Sequence, residues 1–170
     1  MKFWGAIIVA LLLGACAAYD GRGLIPGTDG VDEVLRIMGQ PALRWQDADG
    51  ALQLAYPHGP MGFHTYMVHL APDGKLQRIE NVLDEQVFAR IRPGMNTEQV
   101  VRLLGPAQPE WSAYFSRRDE LVWEWRYCDA ASNAARFNVL FDQSRGTVRS
   151  TMAMSEEQRG LCERKCTCGR

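Results

Sequence analysis

The chain has 170 residues, of which 46% are hydrophobic and 23% are charged, and its formal net charge at pH 7 is −1. This length is enough for one domain of ordinary size, or two small ones, with a hydrophobic core. The composition excludes a disordered or low-complexity chain, and the near-neutral charge excludes the basic footprint of a nucleic-acid-binding protein. No apolar run approaches the roughly 20 residues of a membrane-spanning helix, so we do not expect a polytopic membrane protein.

The N-terminus has the pattern of a bacterial lipoprotein leader. Lys2 supplies a minimal positive start, and an uninterrupted apolar or small run follows from Phe3 to Leu13. That run is too short to span a bilayer and has the length of a secretory signal segment. It ends in Leu13-Gly14-Ala15-Cys16, which resembles the lipobox, the motif whose cysteine is acylated once the leader before it is cut off. The alternatives are an ordinary signal peptide with a chance cysteine and a buried N-terminal helix.

The leader pattern predicts both a boundary and a location. We expect a lipoprotein signal peptide over residues 1–15 and a lipidated tether over residues 16–23, with Cys16 as the lipidation site. Residue 17 is Ala rather than Asp, which in lipoproteins of this kind favours delivery to the outer membrane. We therefore expect a protein that is lipid-anchored in the outer membrane and faces the periplasm.

Two stretches of the chain resemble each other at a nearly constant separation. Around Gly94 the sequence reads Pro93-Gly94-Met95-Asn96, and 67 residues earlier it reads Pro26-Gly27-Thr28-Asp29. At a separation of 66 residues, Val34, Arg36 and Gly39 match Val100, Arg102 and Gly105. Self-similarity at a fixed period is typical of duplicated units. We predict two tandem modules, a degenerate first module over residues 24–83 and a second over residues 84–154.

The first predicted module starts with a helix and continues with strands. Thr28 or Asp29 opens the helix and Gly39 ends it. Strand-like runs follow over about residues 42–46, 51–56, 62–71 and 75–82, and their connectors are rich in Asp and Gly, as hairpin turns are.

The second predicted module repeats that order. A short helix over residues 84–91 precedes a longer one, which Asn96 and Gln99 begin with a capping-box pattern and Gly105 ends. Strands are predicted over about residues 110–115, 120–127, 135–142 and 147–154. The order predicts the α+β class: two tandem modules, each with one or two short helices packed on an antiparallel sheet of three to four strands.

Alternation along the strands assigns side chains to two faces of each sheet. The apolar face carries a stripe that includes Trp123, Trp125 and Tyr127, which we interpret as core packed against the helices, the alternative being an exposed aromatic binding platform. If the stripe is core, the opposite face is left for a partner, and its mixed polar and apolar character is ordinary for an interface. The residues predicted on this open face are Gln53, Thr65, Met67, His69, Glu124, Arg126, Asn138, Leu140 and Arg149.

The C-terminal tail, residues 155–170, is rich in cysteine. Besides Cys16 the chain has Cys128, Cys162, Cys166 and Cys168, an even number that favours two disulfides in an oxidising compartment. The pairing stays open at this point, and a thiolate metal site or free thiols are the alternatives. We expect the disulfides to staple the tail to the strand that ends at Cys128.

The sequence contains little that indicates catalysis. His64 and His69 are five residues apart on a predicted strand, so they point to opposite faces, and His58 lies in a predicted loop. The motifs of serine hydrolases, zinc proteases, nucleotide-binding loops and dinucleotide-binding folds are missing from the sequence. A Cys128–His nucleophile pair is the one catalytic alternative, and a disulfide would remove it. We predict no enzymatic activity, no cofactor and no metal.

The second module resembles a known lipoprotein family. It resembles the signature of the SmpA/OmlA family at three places: Pro93-Gly94-Met95-Asn96-Thr97-Glu98-Gln99-Val100, Leu104-Gly105-Pro106, and the aromatic strand with Trp123. That family comprises the small lipoprotein of the outer-membrane β-barrel assembly machinery and its relatives. The resemblance implies a role in that assembly and makes Met95, Asn96 and Thr97 further partner-binding candidates.

This chain departs from the family pattern in having two modules and a cysteine tail. A tandem of such modules is similar in arrangement to the secreted β-lactamase inhibitor proteins, in which two copies form one concave sheet that clasps an enzyme. We therefore expect a non-enzymatic binding module that is accessory to outer-membrane protein assembly or envelope integrity, the alternative being an inhibitor-like protein. The expected partners are the membrane, through the lipid, and a protein: a barrel-assembly component, an outer-membrane barrel or an enzyme. We expect no nucleic-acid partner.

Overall fold

The computed structural model describes residues 20–59, 61–162 and 166–168. The predicted signal peptide and Cys16 lie outside the described residues. Within the described part of the chain, no helix combines the length and apolar character needed to cross a membrane.

The first half of the described chain forms one helix and one sheet. Helix α1 spans Val31–Met38, and four strands follow: β1 (Leu43–Gln46), β2 (Leu52–Pro57), β3 (Thr65–Leu70) and β4 (Leu76–Asn81). They pair antiparallel in the order β1-β2-β3-β4. Helix α1 starts at Val31 with Gly30 as its cap, because the Asp29 carboxylate accepts a hydrogen bond from the Ile25 amide (2.6 Å) instead of capping the helix.

The second half repeats this plan. Helices α2 (Glu85–Phe88) and α3 (Thr97–Leu104) precede strands β5 (Ala113–Phe115), β6 (Glu120–Cys128), β7 (Ala134–Asp142) and β8 (Thr147–Ser155), which pair antiparallel in that order. Short 3-10 helices span Pro109–Trp111 and Ser116–Arg118. Glu110 therefore lies in a 3-10 turn and not at the start of a strand. The predicted α+β class with two tandem modules is confirmed.

The helices and sheets stack as successive layers. Helix α1 buries Val34 and Met38 against one face of the first sheet, where Leu54 and Val68 are fully buried. Helix α3 lies between the two sheets, and Val100 and Leu104 belong to a cluster that includes residues of both. The second sheet, β5–β8, packs one face on this helical layer.

The ends of α3 follow from its sequence. The Asn96 side chain accepts a hydrogen bond from the Gln99 amide (2.8 Å), and the Gln99 side chain accepts one from the Asn96 amide (2.9 Å), so the predicted capping box is present. Gly105 ends the helix at φ +75°, and a Cβ there would lie 2.7 Å from Cγ2 of Thr65 in the first sheet. Glycine is therefore needed both for the turn and for the close approach of the two modules.

Two disulfides close the tail. Cys128 pairs with Cys168 and Cys162 with Cys166, so the prediction that the tail is stapled to the end of β6 is confirmed. The Ala134 amide donates to the Cys166 carbonyl (2.5 Å) and the Cys168 amide to the Ser132 carbonyl (3.0 Å). The tail thus continues the hydrogen bonding at the hairpin between β6 and β7.

Candidate functional site

The aromatic stripe is core and not a binding platform. Trp125 is 2% exposed and Phe141 is fully buried, in the cluster that packs on α3. The Trp125 indole N–H donates to the Gly105 carbonyl (3.3 Å), which satisfies the polar atom of this buried side chain. Trp123 is half-buried at the edge of the same cluster.

The prediction of an open face is wrong for the first sheet. Met67 is fully buried and Thr65 is 2% exposed, because α3 of the second module covers the face on which both lie. The Gln53 side chain donates to the Arg102 carbonyl at the end of that helix (2.6 Å). Met67 and Thr65 are therefore inaccessible to a partner, and the two sheets do not join into one concave surface.

A cleft of about 420 Å³ remains where this covered face meets the helical layer. It is lined by Gln53, Met67, His69 and Met95 among the predicted candidates. The His69 Nε2 atom lies 2.9 Å from the Glu80 carboxylate. Burial lowers the pKa of His69, as does the nearby charge of Arg78, whereas Glu80 opposes the shift.

Two of the other predicted candidates have structural roles. The Met95 carbonyl accepts a hydrogen bond from the Val148 amide (2.7 Å), and Asn96 forms an antiparallel bridge with Thr147. The loop at residues 94–96 therefore pairs with the start of β8. Thr97 is the first residue of α3.

The remaining candidates share the face of the second sheet opposite the one that packs on α3, which we call the outer face. Register places Glu124 opposite Asn138 and Arg126 opposite Arg136 on β6 and β7. Arg149 joins them from β8, with its guanidinium 3.5 Å from Glu120 and 3.2 Å from Asp142. Glu124, Arg126, Asn138 and Arg149 thus share one face, but Glu124 and Asn138 are each 5% exposed, so the prediction of an open face is wrong for these two residues.

A buried ion network occupies one end of the outer face. Two guanidinium nitrogens of Arg126 donate to the two carboxylate oxygens of Glu156 (2.6 and 2.8 Å). Arg136 bridges Glu156 (2.6 Å) and Glu124 (3.0 Å), and Arg159 also pairs with Glu124. Glu124, Arg136 and Glu156 are each at most 7% exposed, so these charges are largely desolvated.

Aromatic rings cover the arginines of this network. The Arg136 guanidinium lies 3.8 Å from the ring centre of Trp111, and that of Arg126 lies 4.2 Å from Phe63 of the first module. Burial by itself raises the pKa of Glu156, but hydrogen bonds from Arg126 and Arg136 outweigh it and hold the pKa below the usual value. Glu156 is therefore ionised at neutral pH and forms charge-assisted hydrogen bonds with Arg126 and Arg136.

The middle of the outer face is an apolar groove of about 250 Å³. Val122 and Leu140 form its floor, and Phe115 and Met152 form its sides. Phe115 is 45% exposed and Met152 48%, unlike the buried apolar residues of the inner face. The groove lies between the buried network and a second ion cluster, in which Arg118 and Arg149 pair with Glu120.

Sequence reasoning missed two central members of this surface. The alternation that places Arg126 on the outer face also places Arg136 there, so a signal for Arg136 was present. Glu156 directly follows β8, and its amide donates to the Ala134 carbonyl of β7 (2.9 Å). The register shift opposite Arg149 puts Met154 and Glu156 on the same face as Arg149, which alternation counted from Arg149 does not predict. Within residues 20–59, 61–162 and 166–168, no group of three or more His, Cys, Asp or Glu residues is placed to hold a metal.

Comparison with known proteins identifies no family for this chain. No protein-family model matches it, and no curated protein matches it. Among solved structures, a match is found to an extracellular protein containing a SCP domain from Bacillus anthracis str. Ames, at 13% identity and a TM-score of 0.28. It covers 79% of this chain and 45% of that one, so this chain spans less than half the length of that protein. A TM-score this low carries no argument about fold or function.

Proposed function

We propose that the protein is a non-enzymatic binding module of the bacterial envelope, accessory to outer-membrane protein assembly or envelope integrity. In this proposal, lipid on Cys16 holds it on the periplasmic face of the outer membrane, and a protein partner docks on the outer face of the second sheet. The observation that carries the binding role is the exposed apolar groove set between two ion clusters on that face.

Physical reasons support docking at this place. An apolar centre with a polar, charged rim is the usual composition of a non-obligate protein interface. The arginines are already held by ion pairs, so a partner that meets them loses little additional side-chain entropy. Exposed Phe115 and Met152 at the groove gain free energy when a partner removes them from water.

The location and the assembly role have separate support. The location depends on the lipobox pattern at Leu13-Gly14-Ala15-Cys16. The assembly role depends on the resemblance of Pro93-Gly94-Met95-Asn96 and the following helix to the SmpA/OmlA signature.

Photocrosslinking in intact cells tests the partner. A photoreactive phenylalanine analogue replaces Phe115, an aromatic residue that is 45% exposed beside the groove. The matched control carries the same analogue at Ile25, which is 58% exposed on the first module. We expect an adduct with a barrel-assembly component or an outer-membrane barrel at Phe115 and none at Ile25.

The outcomes separate the candidate functions. Adducts with one soluble enzyme would replace the assembly role with an inhibitor-like one. The same adducts at Phe115 and Ile25, or none at Phe115, would contradict docking on the outer face.

The anchor is tested independently by mass spectrometry of the mature N-terminus. We expect a diacylglyceryl-modified Cys16 at that terminus and co-fractionation with the outer membrane. A Cys16→Ser variant should lose both features. An unmodified N-terminus at another residue would overturn the lipoprotein assignment.

A further inference from the structure

Strand β8 forms the edge of the second sheet, and only its two ends are covered. At its start, the Val148 amide donates to the Met95 carbonyl (2.7 Å), and the Gly94 amide donates to the Val148 carbonyl (2.8 Å). At its end, the Ser155 amide donates to the Gln158 side chain (3.0 Å), and the Arg159 amide donates to the Ser155 carbonyl (3.2 Å). Between these two covers, residues 150–154 pair with β7 alone among the described residues, and Arg149 lies in the bulge where the register shifts. We call this stretch the β8 recess.

The direction of the backbone groups in the recess follows from its ends. The Glu156 amide donates to the Ala134 carbonyl (2.9 Å), toward β7, whereas the amide and carbonyl of Ser155 point away from β7. Hydrogen-bonding direction alternates along an antiparallel strand. The amides and carbonyls of Thr151 and Ala153 therefore point outward, and those of Met152 and Met154 point toward β7.

Beyond Arg149 and the register shift at its start, the recess lacks the usual protection of an edge strand. Natural edges are blunted by charged side chains, by proline or by a covering loop. Ser150 to Ser155 is an uncharged run without proline, and Thr151, Met152 and Ala153 are all exposed. The covers at Val148 and Ser155 leave this central part open on both faces of the sheet.

We propose that the β8 recess binds an extended peptide segment of a partner protein by adding a strand to the second sheet. Two donors and two acceptors from Thr151 and Ala153 hold the peptide backbone, as in other cases of strand addition. A second copy of the chain does not fit, because its own loop at residues 94–96 and its turn at residues 155–159 flank its recess and would meet the covers of the first.

The surroundings of the recess define the chemistry of the peptide. Met152 and Met154 lie beside the apolar groove, so apolar side chains are favoured on that side of the peptide. The side chains of Arg149 and Arg159 are 39% and 33% exposed near the ends of the recess, so acidic residues are favoured at the ends of the peptide. The partner segment is thus short, extended, apolar at alternate positions and acidic at its ends. This inference rests on the proposed function only in taking the partner to be a protein.

The test uses the full chain in detergent and a short, capped peptide that alternates valine and threonine and carries a glutamate at each end. The control peptide is identical except that proline replaces its central residue, and proline cannot donate a strand hydrogen bond. On adding the first peptide, we expect amide exchange to slow at Thr151 and Ala153 and to stay unchanged at Met152, which is already bonded to β7. The control peptide should produce no change.

A pair of variants tests the same backbone contact. Ala153→Pro removes an outward amide without removing a bond to β7, so it should weaken peptide binding by at least about tenfold while the sheet stays folded. Ala153→Ser keeps the amide and should bind as the parent does. Equal binding by the two variants would overturn the proposal.

Slower exchange at Thr151 and Ala153 that depends on protein concentration without peptide would overturn the proposal in favour of a second copy. No protection by the peptide would overturn it too, and an adduct at Phe115 in cells would then still support docking on the outer face. Failure of the inference is thus distinguishable from failure of the proposed function.

Discussion

At the residue scale, Arg136 is the buried arginine of the outer face. Arg136 is 7% exposed, and its guanidinium pairs with Glu124 and Glu156, which are themselves buried. Removing one member of such a network leaves the others as uncompensated buried charges. We expect Arg136→Met to lower the free energy of unfolding by about 3–5 kcal/mol in urea denaturation.

Arg145 provides the matched control for Arg136. It is the same residue type in the hairpin between β7 and β8, but its side chain is 80% exposed and its ion pair with Asp142 spans 3.9 Å. Arg145→Met should change stability by no more than about 0.5 kcal/mol. A similar loss in both variants would mean that the network does not stabilise the fold.

The pH dependence of stability should depend on His69. Burial lowers its pKa in the folded state below the ordinary value of 6.5, so the unfolded state binds the proton more tightly. Stability is then complete above about pH 6.5 and falls as the pH drops through that value toward the lowered folded pKa. The His69→Gln variant keeps a donor toward Glu80. Its free energy of unfolding, measured by urea denaturation, should decrease less between about pH 7.5 and pH 5.5 than that of the parent protein.

Two other ionisable groups, His64 and Glu156, affect the pH dependence of stability, and their contributions can be separated from that of His69. Burial also lowers the pKa of His64, so His64→Gln should remove a separate part of the same slope. The lowered pKa of Glu156 affects stability only below about pH 4.5, outside the range of the measurement. An unchanged slope in His69→Gln would contradict the assignment.

At the element scale, the two main helices differ in how they begin. Helix α3 has a complete capping box from Asn96 and Gln99, whereas α1 starts at Gly30 without a side-chain cap. Replacing a capping Asn by Ala typically costs about 1 kcal/mol. We expect Asn96→Ala to lower the free energy of unfolding by about that amount, measured by thermal or urea denaturation.

The aspartate variant is the control for this prediction. Asn96→Asp keeps an oxygen that accepts from the Gln99 amide, so it should retain most of the stability. Equal destabilisation by Ala and Asp would contradict the role of the cap, because the bridge between Asn96 and Thr147 is formed by the backbone and persists in both variants.

At the scale of the whole molecule, Gly39 and Gly105 separate local strain from packing between the modules. Both end their helices at positive φ, +80° and +75°, so alanine at either position costs about 1–3 kcal/mol in backbone strain. A Cβ at Gly39 has no heavy atom within 4 Å, whereas one at Gly105 lies 2.7 Å from Cγ2 of Thr65. We expect Gly105→Ala to destabilise the protein by more than Gly39→Ala does, in urea denaturation.

A double-mutant cycle isolates the contact between the modules. Thr65→Ser removes the methyl group that the new Cβ would meet, so Thr65→Ser with Gly105→Ala should recover about 1 kcal/mol relative to the sum of the single changes. Thr65→Ser with Gly39→Ala should be additive. Additivity in both cycles would contradict the tight packing of α3 on the first sheet.

Local patterns along the chain determined most of the elements. Alternating side chains predicted all eight strands to within a few residues, and Asn96 with Gln99 and Gly105 predicted α3, because these signals act over one turn or one hairpin. The even cysteine count predicted disulfides, but the pairing of Cys128 with Cys168 needed the tail to be placed.

What the alternation could not decide is which faces are covered. Alternating side chains show that a strand has two faces. Whether a helix from the other half of the chain covers one of these faces depends on contacts between residues far apart in sequence. The tertiary structure therefore buried Met67 under α3, placed Glu156 beside Arg126 and Arg136 through the register shift in β8, and left Thr151 and Ala153 on an open edge.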